Sequence, residues 1–388
     1  MERQQIATFL TEVAKEEFGQ EIIFAEDLSN IIDSGTTFLN VVAENKAFDS
    51  VLHALINKVG KTIIVDRTYN ITSPNIVRDA WEYGSILEKI RINLKEPTTN
   101  RTWNLTAGTK YDDILVYDPP EVSATYFNKR VTFSISCSYP AEYTLRESFK
   151  SANAINRLFS AIANRIRTGM TFYTSIMAQR TVNALAVTSS KVINLLTEFN
   201  TAFTETYTVA DALHSPDFFR FAAMTISLYS DYMTRITRQF NNGTYDTHSP
   251  KEYQHFCVLS MFAKAIDTYS LSETYHNEFV KLIQYETVPY WQGVGSTETE
   301  GENPEITDLY SFNAVSKIMA ETADTENPVT LNGVVGVLFD RDAAAICNEN
   351  ERVTSFYNAD NETTKYYYKW DCGYNIDPAE NCIVFVVA

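Results

Sequence analysis

The sequence is poor in the residues that usually announce chemistry. It has five cysteines in 388 residues. Cys137, Cys257, Cys347, Cys372 and Cys382 are scattered, and none forms a CxxC pair. An odd, dispersed set excludes a disulfide framework and a zinc ribbon, and is expected as buried free thiols. Histidines are also five: His53, His214, His248, His255 and His276. No HExxH occurs, so they are expected as surface or structurally bonded residues, with no metal assigned. No GxGxxG, GxxxxGK[ST] or GxSxG is present, which removes the common phosphate-cradling and serine-nucleophile signatures. Asp340 and Asp342 flank Arg341, a spacing that suits capping or ion pairing better than a catalytic dyad. The sequence thus assigns no catalytic residue and no cofactor.

Apolar runs are short. None approaches the roughly 18 residues that a membrane helix needs, so no membrane partner is expected. The opening MERQQIATFLTEVAKEEF is charged throughout and lacks the unbroken apolar stretch of a signal peptide, which suggests a cytosolic start. Positive charge is in deficit: 32 Lys and Arg stand against 49 Asp and Glu, a net charge of −17. A wholly basic nucleic-acid-binding surface is therefore excluded, while a local basic face is not.

What is abundant is aromatic bulk and apolar residues. Tyr and Phe number 23 each beside only 13 Gly and 11 Pro, and 45% of residues are hydrophobic. That composition supports a sizeable core and suits extensive interfaces. Length alone suggests more than one packed unit.

Periodicity gives the organisation. Ile6, Phe9, Leu10 and Val13 recur at helical spacing before Gly19, and Phe48 to Val59 repeat the pattern before Gly60. The period then changes to two. Ile90, Ile92 and Leu94 alternate with charged or polar residues, as do Val131, Phe133, Ile135 and Cys137. Roughly 35 residues lie between these strands, far more than a hairpin connection needs. They are expected as the two strands of an extended arm, which is not stable without a neighbouring surface.

From Ser151 to Val187 there is no proline, and Ile155, Leu158, Phe159, Ile162, Ile166, Met170, Tyr173, Ile176 and Met177 follow one another in steps of mostly three and four. A helix of that length spans on the order of 50 Å. Gly169, inside it, marks a bend or a close contact. Pro216 stands where a helix first turn tolerates it, ahead of Phe218 to Ile236. His255–Leu259 reads as a buried strand, Phe279, Leu282 and Ile283 as helical, and Ala343–Cys347 as a short apolar helix. Gly333–Phe339, Arg352–Tyr357, Lys365–Trp370 and Cys382–Val387 read as strands.

Charge is polarised along the chain. Lys129, Arg130, Arg146, Lys150, Arg157, Arg165, Arg167 and Arg180 face only Glu142 and Glu147, whereas residues 296–327 carry eight acidic side chains against Lys317. Solvated faces would account for either patch alone. Both together suit a subunit with an inside and an outside.

This order of parts resembles the major capsid proteins of tailed double-stranded-DNA bacteriophages, with the Hong Kong 97-like fold. The closing runs GVVGVLFDRDAAAICNENERVTSFYN and YYYKWDCGYNIDPAENCIVFVVA look like the end of such coat proteins, and Val288-Pro289-Tyr290-Trp291-Gln292-Gly293 is similar to those of small short-tailed phages (podoviruses). The resemblance implies an α+β fold with a long spine helix, an extended two-stranded loop, and peripheral and axial domains. Residues 1–83 would be the N-terminal arm and start of the peripheral domain, 84–140 the extended loop, and 141–187 the spine helix. Residues 188–332 would be the axial domain, and 333–388 would complete the peripheral domain.

The implied function is structural, without catalysis. Identical chains would form pentamers and hexamers that close into an icosahedral shell around packaged DNA. Implied partners are the chain itself, a separate scaffolding protein, a portal protein, and double-stranded DNA in weak non-specific contact. The implied location is the virion, assembled in the host bacterial cytoplasm. Ile90, Ile92, Leu94, Val131, Phe133 and Ile135 would be apolar roots of the loop. Arg157, Arg165 and Arg167 would face the lumen, or else bond acidic neighbours. No long charged coiled coil precedes the loop, so a fused scaffold is not expected. A bacterial nanocompartment (encapsulin-type) shell, a two-domain hydrolase and a tail component are the alternatives. The first is disfavoured by the long axial segment, the second by the missing nucleophile motif, and the third by the absence of repeats.

Overall fold

A computed structural model describes residues 3–19, 22–45, 51, 54, 74–78, 87–92, 122–139, 150, 152–243, 245–271, 282–291, 311–320, 329–358, 360 and 363–388. The chain divides into two compact units. One comprises Met1–Ala80, Arg130–Met177 and Cys347–Gly373, and the other Trp81–Lys129, Ala178–Ile346 and Tyr374–Ala388.

In the first unit, α1 (Arg3–Phe18) ends where Gly19 turns left-handed at φ +65°, its N–H bonded to the Lys15 carbonyl. The next helix, α2 (Ile31–Glu44), buries Ile31, Gly35, Phe38 and Val42 along one face. These two helices share a core with Ile166 and Met170 and with Tyr366, Tyr368 and Trp370.

Both β1 (Leu87–Ile92) and β2 (Val122–Phe127) belong to the second unit. After them β3 (Arg130–Tyr139) returns the chain to the first. The expected long helix is present as α3 (Ala152–Thr188), 37 residues long. In the first unit it is apposed to β3 at Gly169, where an added Cβ would lie well inside contact distance of the Ile135 side chain. The neighbour that crowds Gly169 is thus a side chain and not another stretch of backbone.

From Ala178 the same helix contributes the fully buried Ala178, Val182, Leu185 and Ala186 to the second unit. There follow β4 (Lys191–Asn194), α4 (Leu195–Phe203), the short α5 (Val209–Ala212) and α6 (Pro216–Met233). Pro216 stands in the first turn of α6 behind the N-cap Ser215, as its position in the sequence suggests. Then come β5 (Gln254–Leu259), α7 (Ser260–Leu271), β6 (Glu286–Val288), α8 (Phe312–Val315), β7 (Ile318–Ala320) and β8 (Val329–Leu331). Last are β9 (Val334–Asp340), β10 (Ala344–Asn358), β11 (Thr363–Ile376) and β12 (Cys382–Val386).

A five-stranded sheet in the order β4-β12-β9-β5-β6 holds the second unit together. Every residue of β9 and β12 is buried, which is why both read as unbroken apolar runs. A three-stranded sheet, β10-β11-β3, and two strand pairs, β1-β2 and β7-β8, complete the described architecture.

Three sequence expectations change. Val131–Cys137 does not pair with the Ile90 strand. It pairs antiparallel with β11, from Arg130 opposite Gly373 to Tyr139 opposite Thr364. The partner of β1 is β2 instead. Ala343–Cys347 is not helical: its five residues are buried one after another and Ala344–Cys347 open β10, because burial on both faces overrides alanine's helix preference. Leu282 and Ile283 lie outside any helix. Phe279, most of the Phe48–Val59 stretch and the acidic 296–308 segment lie outside the described residues.

Candidate functional site

The feature that departs most from ordinary strand patterning is the β1–β2 pair. It is antiparallel, with Leu87 opposite Phe127 and Ile92 opposite Val122. Side chains alternate across such a ribbon, so Glu88 and Ile90 share a face with Val122, Ala124 and Tyr126. That face is open: Ile90 is 63% exposed, Val122 58% and Tyr126 62%. The other face, carrying Lys89 and Arg91, is the covered one.

Lys89 and Arg91 meet the loop before β12. Lys89 Nζ lies 3.0 Å from Asp377 Oδ2 and 2.6 Å from Glu380 Oε1, and also donates to the Asp342 carbonyl. Arg91 Nη2 donates to Glu380 Oε1 at 2.8 Å and to Asp377 Oδ2. The Arg91 guanidinium stands 5.1 Å from the centroid of the Tyr245 ring, within cation–π range. Burial pulls the Arg91 pKa down, but hydrogen bonds and charge from Glu380 and Asp377 more than offset it, and the group stays firmly protonated. Two cations thus clamp two carboxylates beneath the strand pair. On the open face Tyr126 donates to Glu88 Oε1 at 3.0 Å, which raises the phenol pKa.

The remaining apolar candidates fall elsewhere. Ile92 sits at the end of β1, with its side chain outside the described residues, as is Leu94 altogether. Val131 is partly exposed on β3, while Phe133 and Ile135 pack against the core of the first unit. The Phe133 ring lies 5.6 Å from Tyr173 and 5.4 Å from Trp370, centroid to centroid. Phe133 and Ile135 support that core, and all three residues, Val131 included, lie on β3, outside the β1–β2 pair. Arg157, Arg165 and Arg167 lie on α3, and their side chains are outside the described residues. Arg130, counted in the same basic stretch, is paired with Glu349 at 2.9 Å.

Two further features of the second unit have a role that the sequence did not show. Along α6, Met224, Leu228 and Tyr232 are exposed at intervals of four, a stripe on the side opposite the buried Phe219, Ala223 and Ile226. After β6, Trp291 is fully buried. Its indole N–H donates to the Val334 carbonyl at 2.9 Å, and Gln179 and Asn183 each donate to its carbonyl at 2.8 Å. The Val288–Gly293 run singled out in the sequence therefore contains an anchor for the chain's path beside β9.

Comparison with known proteins identifies the fold and the family. No curated protein sequence gives a significant match. Among solved structures, the capsid of Staphylococcus phage Andhra matches with a TM-score of 0.53 at 10% identity, covering 83% of this chain and 86% of that one. A chain from the structure of the head fiber and inner core protein of native bacteriophage P68 matches with a TM-score of 0.50 at 10% identity, covering 81% and 83%. These likenesses show the Hong Kong 97-like fold. The family model described as Phi29-like phage major capsid protein matches residues 9–386. The chain belongs to the Phi29-like phage major capsid protein family, whose members build the virion's shell.

Proposed function

We propose that the open face of the β1–β2 pair is a contact by which each subunit binds its neighbour in the shell. The observation that supports this is the inverted pattern: the charged face is held down by Asp377 and Glu380, and the apolar face is left to solvent. An isolated ribbon gains nothing from exposing Ile90, Val122 and Tyr126. Covered by a neighbouring chain, each apolar side chain contributes about 1–2 kcal/mol, since 58–63% of its surface remains to be buried. The α6 stripe of Met224, Leu228 and Tyr232 offers a second surface of the same kind. Repeated contacts between unlike patches generate rings, here pentamers and hexamers.

On this reading, residues 84–140 are the extended loop and its roots, 141–187 the spine, 188–332 the axial domain and 333–388 the close of the peripheral domain. A separate scaffolding protein directs assembly in the host cytoplasm, a portal protein occupies one vertex, and Arg157, Arg165 and Arg167 screen packaged DNA. Nothing found favours a nanocompartment or a hydrolase.

The test is the pair Ile90→Asp and Val122→Asp, under conditions in which the unaltered chain closes into shells. The expected result is a chain with unchanged circular dichroism and unfolding midpoint, but no closed particles by electron microscopy. Normal yields of shells from the double variant would overturn the assignment.

A further inference from the structure

The edge of the five-stranded sheet gathers three potential metal ligands that no sequence motif assigns. His255 and Cys257 are two apart on β5, so their side chains share a face. Parallel pairing places Glu286 of β6 directly opposite Cys257. One nitrogen or oxygen of His255 and Glu286 and the Cys257 sulfur all lie within 4.8 Å of one another.

One pair already has the spacing of ligands around a shared centre. His255 Nε2 lies 3.3 Å from Glu286 Oε2, close enough for an ion pair. Yet Nε2 is buried and makes no hydrogen bond, to Glu286 or to any other group. Tetrahedral zinc with nitrogen and oxygen ligands at about 2.0–2.1 Å sets those two atoms about 3.3 Å apart. Two of the three ligands therefore already stand one tetrahedral edge apart. The His255 ring is steadied by Phe339, 5.1 Å away between centroids.

The donor set selects the ion. Calcium and magnesium take oxygen ligands, whereas imidazole, thiolate and one carboxylate together suit zinc. Three protein ligands leave a fourth position. His255 and Glu286 reach the wall of a cavity of 490 Å³, lined also by Lys251, Glu252, Gln254 and Tyr285, through which water would complete the shell. Cys257 is wholly buried on the protein side.

We propose that His255, Cys257 and Glu286 bind one divalent transition-metal ion, zinc by its chemistry, which clips the three-residue strand β6 to β5. Beyond β6 the chain runs to the Trp291 anchor, so the clip closes the loop from Cys257 to Glu286 at the edge of the sheet. Its role is to hold β6 at the sheet edge, with water in the position that a closed site fills with a fourth protein ligand, and it is independent of the shell contacts proposed above.

The full chain, stripped with a chelator and dialysed against zinc, tests this by elemental analysis and by thermal unfolding. The expected result is one zinc per chain and a raised unfolding temperature. His255→Gln and Cys257→Ser should each weaken binding about tenfold or more and abolish the rise. Cobalt in place of zinc should give tetrahedral d–d bands and a thiolate charge-transfer band in the unaltered protein, so the sulfur ligand is read even if Cys257→Ser does not fold. Failure to retain zinc, retention undiminished in His255→Gln, or a cobalt spectrum without the thiolate band would each overturn the site.

Discussion

Arg91 and Glu380 are 289 positions apart and meet through a hydrogen bond of 2.8 Å. That contact joins the root of the hairpin to the loop preceding β12, and Asp377, almost wholly buried, shares the same cation. Buried pairs are expensive to break because the partner left behind is a charge without compensation. Arg91→Met should therefore destabilise the chain by about 3 kcal/mol in guanidinium unfolding. Hydrogen exchange should accelerate first at Leu87–Ile92 and Val122–Phe127. Glu380→Gln should cost less, since Asp377 still holds both cations. Equal exchange rates in Arg91→Met and the unaltered chain would show that the clamp does not hold the hairpin.

Gly169 and Ile135 provide a second test. An alanine inside a helix is worth about 1 kcal/mol over glycine. Here the added methyl would collide with the end of the Ile135 side chain, which must leave its rotamer at a cost of about 0.5–1.5 kcal/mol. Gly169→Ala alone should thus be near neutral. In an Ile135→Val background, which removes the colliding carbon, the same substitution should stabilise. The double-mutant cycle measures the coupling directly. An equal gain from Gly169→Ala in both backgrounds would mean that the contact carries no strain.

Much of this fold was legible in the sequence for definite reasons. The long helix has no proline and a sustained apolar rhythm, and β9 and β12 are unbroken apolar runs because both faces are covered. The helix α2 was not legible. Its sequence IIDSGTTFLNVVAE puts Gly35 among the buried positions and Ile32 on the exposed side, and its N-cap Asn30 makes no side-chain capping bond. The strand β2, VSATYF, presents its apolar residues to solvent and lacks the contrast that marks a face. Pairing β1 with the wrong strand followed from that gap, because Val131–Cys137 showed the clearer alternation.

The assembly surfaces were half legible. Ile90 was found from its period of two, but not the inversion that leaves it outside. That depends on Asp377 and Glu380, which lie nearly 300 positions away and carry no local signal. The His255–Cys257–Glu286 cluster is similar. Two of its members are neighbours on one strand, but the third arrives only through the parallel register of β5 and β6.

The stripe on α6 separates stability from assembly. Leu228 is exposed and lies opposite the buried face, so Leu228→Lys should change the unfolding free energy by no more than about 0.5 kcal/mol. If the stripe is covered by a neighbour, the same change places a charge in an apolar contact and should suppress particle formation, read by sedimentation and electron microscopy. Normal particles from Leu228→Lys would remove α6 from the assembly surfaces and leave the hairpin as the test of the reading.

Asp340 gives a pH dependence with a defined sign. It lies at the end of β9, largely buried, and burial raises its pKa above the ordinary 3.8, with Glu380 and Asp342 adding to the rise. The Ser249 hydroxyl and the Asp342 N–H, the latter at 2.8 Å, bond it and oppose the shift only in part. A carboxyl group raised in the folded state binds more protons folded than unfolded between its two pKa values, so stability falls as pH rises through that window. At neutral pH the ionised Asp340 therefore works against the fold. Asp340→Asn keeps an oxygen for the Asp342 N–H and removes the buried charge. It should raise the unfolding midpoint at pH 7, and the advantage should shrink as pH falls towards 3.8 and below, where the native group is already neutral. Asp371, lowered chiefly by its hydrogen bond to Arg352, titrates in the opposite sense: its contribution is present above 3.8 and is lost as pH falls through its depressed value. Measuring the difference between Asp340→Asn and the unaltered chain cancels that background. A difference that is constant with pH, or negative at pH 7, would show that the hydrogen bonds to Asp340 outweigh the burial of its charge.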